Sequence, residues 1–173
     1  MRALRAAGLV LVALALQTTL AHAVMGNRAA FDLVLVVVLY LALAAGPTAG
    51  MLMGATAGLV QDGLSGGIVG VGSLAKTIVG FGAGVAGSQF IVTGMAPRAV
   101  VFFLGSLAHA GCALGMYHLI DPRGVTIGYR GLVAQALLNT VIGVFAFYVV
   151  ERFPDWLMQR RLRRASVRRR WSS

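Results

Sequence analysis

Residues 33–61 read LVLVVVLYLALAAGPTAGMLMGATAGLVQ, a stretch without one charged side chain. As a single helix it would run roughly 43 Å at 1.5 Å per residue, well past a hydrocarbon core of about 30 Å. Gly46-Pro47 sits at its middle. Proline removes a backbone donor there and biases the preceding glycine away from helical dihedrals. The stretch therefore reads as two short helices joined by a tight turn, with one kinked and tilted helix as the alternative.

The rest of the chain calls for the same apolar solvent. Hydrophobic residues make up 58% of the 173 and charged residues 12%, about half the charge of a typical soluble domain. So little charge does not cover a water-facing surface. A charge in the bilayer core costs at least ~2.5 kcal/mol, so charge-free runs mark candidate spans. These are Ala6–Asn27, Leu33–Gln61, Gly63–Ala75, Thr77–Pro97, Ala99–Ile120 and Gly131–Val150. Splitting the second run at Gly46-Pro47 and fusing the third and fourth across Lys76 predicts an all-α, polytopic membrane bundle of about six spans. The expected limits are about 6–26, 30–46, 47–62, 68–91, 98–120 and 130–152, within a domain of residues 1–153.

The net charge of +10 is concentrated, not spread. Arg160, Arg161, Arg163, Arg164, Arg168, Arg169 and Arg170 supply seven of the fifteen basic residues. Residues 154–173 thus read as a basic amphipathic cytoplasmic tail for anionic lipid, with no nucleic acid as partner. Arg2 and Arg5 precede the first span, and the positive-inside rule puts both ends in the cytoplasm, which requires an even number of crossings. Arg2, Arg5, the apolar stretch and Ala21-His22-Ala23 also imitate a cleavable signal peptide, which would leave five spans. Gln17-Thr18-Thr19 interrupts the approach to that site, and the remaining chain is already polytopic, so a retained first span is the reading adopted.

Gly46, Gly50, Gly54 and Gly58 recur every four residues through the third span. On a helix they leave a groove free of side chains, where another helix can approach at backbone distance. A second stripe of small residues follows Ser73, Lys76/Thr77, Gly80, Gly84 and Gly87. The two readings are packing among the protein's own helices and a seat for a partner's helix. Asp62-Gly63 and Ser65-Gly66-Gly67 are turn formers, so the third helix ends near Gln61 with Asp62 at the outer face.

Several of these features together resemble the rod-shape-determining MreD family of bacteria. They are Leu16-Gln17 late in the first helix, Asp32-Leu33 opening the second, Leu39-Tyr40-Leu41, the G-x-x-x-G-L-x-x-D run from Gly54 to Asp62, and Leu64 with Gly70 after it. The family's pattern often has proline where Phe31 stands and an aromatic where Ala55 stands. The resemblance covers roughly residues 11–90. It implies a non-enzymatic inner-membrane subunit of the cell-elongation machinery that maintains rod shape and supports sidewall peptidoglycan synthesis. The implied partners are an MreC-like bitopic membrane protein and, through it, a glycosyltransferase–transpeptidase pair. The implied fold is that of the substrate-binding subunits of energy-coupling-factor transporters, and a small-molecule-binding transporter subunit is the alternative function.

Ionisable and polar residues inside spans are functional suspects. They are Lys76, His109, His118, Gln135 and Asn139. His109 has no His, Asp or Glu three or four positions away, and Cys112 is the only cysteine, which excludes a Cys-based metal cluster. Neither a nucleophile–base set nor a phosphate loop is recognisable, so no cofactor, metal or catalytic residue is expected. Gln135 and Asn139 share a helix face and read as interhelical hydrogen-bonding groups. Lys76 reads as extending outward, towards Asp62.

Overall fold

The computed structural model describes residues 2–24, 31–66, 68–90, 94–120 and 129–170, with side chains for 8–19, 31–66, 68–90, 94–120 and 130–150. Among the described residues the chain forms six helices and no strand. They are α1 Arg2–Val24, α2 Leu33–Ala45, α3 Pro47–Ser65, α4 Val71–Gln89, α5 Met95–Ile120 and α6 Tyr129–Arg170.

Gly46-Pro47 is a turn. Gly46 closes α2 at φ 91°, with its N–H donating to the Ala42 carbonyl at 2.9 Å, and Pro47 starts α3. Only glycine takes that dihedral without strain, and proline's fixed φ suits a first helical position. The chain folds back as an antiparallel hairpin in which Gly50 lies on the Ala42 side chain and Gln61 reaches Asp32. A second hairpin follows through Gly66 (φ 67°) and Gly70 (φ 105°). Here the two stripes of small residues meet. Gly50 faces the backbone of Gly80, Gly54 that of Lys76 and Thr77, Gly58 that of Ser73, and Gly84 that of Pro47.

Helix α2 is the axis of the assembly, in contact with all five other helices. No side chain from Leu33 to Leu43 is exposed. Its Val34 and Val38 cluster with Val10, Leu14 and Ala57, while Leu35, Leu39 and Ala42 cluster with Val79, Ala83, Phe102 and Phe147. Phe102 lies against Gly143 and sets its ring edge-on to Phe147, with centroids 6.1 Å apart. Arg98 holds its guanidinium 4.4 Å above the Phe147 ring.

Only Met95–Ile120 and Arg130–Val150 are, among the described residues, long and apolar enough to cross a membrane on length and composition alone. This is fewer than the six segments read from the sequence, for two reasons. Thirteen residues make α2 about 20 Å long, and glycine, serine and threonine dilute the apolar character of α3 and α4. Helix α6 continues past residue 153, through Pro154 to Arg170.

Candidate functional site

The first residue of interest is Asp32, which caps α2. Its Oδ1 accepts the Leu35 N–H at 2.9 Å, satisfying one of the amides that every helix start leaves unpaired. In most proteins such a cap meets water. Here it lies inside the bundle, with Asp32 only 4% exposed. The positive end of the helix dipole favours a carboxylate at this point, but a buried carboxylate still needs a counter-charge.

Lys76 of α4 supplies it. Its Nζ lies 2.8 Å from Asp32 Oδ2, and its residue is 2% exposed. On its other side Nζ is 3.2 Å from His109 Nε2 of α5. An ammonium has no lone pair, so the ring nitrogen accepts and the imidazole proton resides on Nδ1. Lys76 therefore points inward, correcting the expectation that it extends towards Asp62. Two buried charges attract strongly when paired, and the loss of one partner strands the other at several kcal/mol.

The remaining helices contribute polar groups around this pair. Asn139 of α6, fully buried, accepts the Asp32 N–H through Oδ1 at 2.8 Å and donates through Nδ2 to Ser106 Oγ of α5 at 3.2 Å. Gln61 of α3 donates to Asp32 Oδ1 at 3.4 Å. Gln17 of α1 accepts the Val34 N–H at 3.3 Å. The other five helices thus each send a polar side chain to the start of α2, where all but the buried Gln61 Oε1 find a partner in one another or in the α2 backbone.

Asp62 serves the start of α4 in the same way. Its Oδ2 accepts from the Gly70 N–H at 2.9 Å and the Ser73 N–H at 3.0 Å, tying the end of α3 to the next helix. Ser73 in turn donates its hydroxyl to the Ala55 carbonyl at 2.8 Å.

The other residues singled out from sequence fall as follows. Gly50, Gly54, Gly58, Gly80 and Gly84 line the α3–α4 contact, and Gly46 is the turn glycine at one end of it, touching Gly84 through its backbone. Gly63 is exposed with open space around it, and Gln135 is half-buried beside fully buried Asn139. His118 is exposed near the end of α5. The side chains of Arg160, Arg161, Arg163, Arg164, Arg168, Arg169 and Arg170 lie outside the described residues. Among the described residues no three His, Cys, Asp or Glu side chains gather as a metal site. Sequence reading missed the joining of Asp32 to Lys76 and the parts of Ser106 and Gln61. The available signal was charge balance, since Lys76 is the one cation well inside a predicted span, away from its ends, and Asp32 opens another.

A cleft of about 620 Å³ opens between α4 and α5, walled by Ile78, Gly82, Ala86, Val101, Leu104 and Cys112 among others. Its lining is apolar and includes none of the polar cluster.

A family model described as rod shape-determining protein MreD matches residues 2–153. No curated protein and no solved structure matches the chain, so the expected likeness to the energy-coupling-factor subunit fold gains no support.

Proposed function

The chain belongs to the rod shape-determining MreD family of membrane proteins, and from this premise we propose that it is a non-enzymatic scaffold subunit of the cell-elongation machinery. Its working chemistry is helix–helix contact in the inner membrane, in support of sidewall peptidoglycan synthesis. Its partners are an MreC-like bitopic protein and a glycosyltransferase–transpeptidase pair. All six helices contribute to the membrane-embedded domain of residues 1–153, with α6 continuing beyond it into the tail. Both termini face the cytoplasm, and the arginines of 154–173 meet anionic lipid at about 1 kcal/mol each near the surface.

Besides family membership, one observation supports a scaffold over the transporter alternative. A ligand-binding interior presents polar groups to a cavity. In this bundle Asp32, Lys76, His109, Ser106 and Asn139 bond to each other, and glycine-to-backbone contacts fill the space beside them. The deciding experiment is in vivo crosslinking in intact membranes with identification of the adduct. The expected adduct is a single-span elongation protein, and depletion of the chain should round the cells. Rod-shaped growth after full depletion, or retention of one small metabolite through purification, would overturn the scaffold reading. Reporter fusions after Arg5 and Arg164 should both report cytoplasm, and one after Arg123 the outside.

A further inference from the structure

The apolar cleft between α4 and α5 combines small residues with tall rims. Gly82, Ala86, Gly105 and Ala108 carry little or no side chain along its length, while Phe90 and Leu104 stand 68% and 57% exposed. Its placement on the helices is lopsided. On α5 the lining begins at Pro97, two residues into the helix, and ends at Cys112, eight residues before Ile120. On α4 it runs from Phe90, at the end of the helix, back to Ile78, seven residues after Val71. At 1.5 Å per residue the cleft is roughly 20 Å long. It starts at the end where α4 gives way to α5 and stops about 10–12 Å short of the other end.

Those dimensions decide between occupants. A partner's transmembrane helix needs about 30 Å of groove, whereas a lipid chain from one leaflet needs about half of that. A volume of about 620 Å³ spread over roughly 20 Å leaves a cross-section of about 30 Å². A helix 10–12 Å across takes roughly 80–110 Å². Thirteen residues line the cleft, and a specific protein interface takes about 20–30 on each side. Water has no polar partner there, and an empty cleft forfeits the contacts of its lining. A single hydrocarbon chain meets all of these limits.

Charge complements the shape. A chain passing from the bilayer into an apolar cleft gains no hydrophobic driving force, because lipid tails are equally apolar. A lipid held there therefore needs an anchor at its headgroup. Arg98 follows Pro97, the lining residue at the starting end of the cleft, and is half-buried. Its guanidinium rests on the face of the Phe147 ring, and the donors along its planar edge suit a phosphate. We propose that the cleft seats one acyl chain of an anionic phospholipid from the leaflet on the Arg98 side, with the lipid phosphate at Arg98. The bound chain then completes the packing between α4 and α5. This goes beyond the scaffold role and does not depend on which partner the scaffold holds.

The test uses the full chain in nanodiscs of phosphatidylcholine and phosphatidylglycerol in equal parts, with a mid-chain diazirine on one lipid or the other. Adducts are mapped by peptide mass spectrometry. On the wild-type chain the phosphatidylglycerol probe should label cleft residues about fivefold more than the phosphatidylcholine probe, the equivalent of about 1 kcal/mol for one basic residue near the surface. Arg98→Gln should bring the two probes level. Gly82→Leu puts its side chain into the cleft, since nothing lies within 4 Å of a Cβ there, and should lower the cleft adducts about fivefold or more. Ala108→Leu fills the same space from α5 and should do the same. Gly8→Leu, equally unobstructed on α1, should leave the adducts unchanged. Adducts as dense on the exposed Leu137 and Val141 of α6 as in the cleft would mean bulk lipid alone and would overturn the proposal. Equal labelling of the wild type by both probes, or cleft adducts indifferent to both filling variants, would overturn it too. So would displacement of the probe by an equal amount of an isoprenoid phosphate, or a protein captured in native membranes by a photoreactive residue at position 82.

Discussion

Replacing Gly54 by alanine places one methyl group where α3 and α4 touch through their backbones. A Cβ built at Gly54 would sit 2.6 Å from the Lys76 carbonyl carbon and 2.8 Å from the Thr77 nitrogen, whereas ordinary contact begins at 3.4 Å. The Lys76 carbonyl oxygen is closer still, and none of these atoms belongs to a side chain that can rotate away, so the helices must part by about 1 Å. A gap of 0.5–1 Å forfeits roughly a quarter to a half of each van der Waals well along the ladder, and overpacking typically costs about 1–3 kcal/mol. Alanine returns about 0.8–1 kcal/mol of helix propensity, so the expected net loss is about 0–2 kcal/mol, centred near 1. At roughly 2–4 °C per kcal/mol for a chain of this size, purified Gly54→Ala in detergent should melt a few degrees below wild type. Gly82→Ala is the matched control. It adds the same methyl group in α4, where nothing lies within 4 Å, and should melt at or above wild type. The reasoning is refuted if both variants move the melting temperature alike.

Lys76→Met strands the buried Asp32 carboxylate and should lose about 3–5 kcal/mol, seen as a large fall in melting temperature, whereas Asp32→Asn/Lys76→Met should recover most of it. Asn139→Ala removes the acceptor of the Asp32 N–H and the partner of Ser106, and a loss of about 1–3 kcal/mol in the same measurement is expected. Asp62→Ala uncaps α4 and should cost about 0.5–2 kcal/mol, with faster amide exchange confined to Gly70–Ser73. Melting of Asn139→Ala unchanged from wild type would show that the cluster contributes nothing to stability.

The parts of this structure that sequence revealed are those governed by neighbours along the chain. Gly46-Pro47 reads as a turn because both residues act on their own backbone. The glycine ladder is visible because its period of four is itself the helix period. The polar cluster obeys no such local rule. Asp32 and Lys76 sit on different helices, and the Asp32–Asn139 hydrogen bond spans 107 positions. Lys76 was assigned to Asp62 because that carboxylate is nearer in sequence and stands closer to water. Its actual partner follows only once α2 is known to start inside the bundle. His109 finds its partner in a lysine on another helix, beyond the reach of any test of helical spacing.

The shortness of α2 bears on how the protein enters the membrane. A helix of 13 residues does not reach across the hydrocarbon core alone. Its starting amides are satisfied by Gln17 and Asn139, and the latter is synthesised more than a hundred residues later. Until α6 arrives, the Asp32 N–H lacks its acceptor, and an unsatisfied amide in lipid costs several kcal/mol. Helix α2 is thus poorly suited to insert as an independent segment. The unit that suits insertion is the α2–α3 hairpin, turned at Gly46-Pro47 and held with the start of α2 near the headgroups. Its descent to the centre of the bundle would then be a late event of assembly, completed as α6 packs.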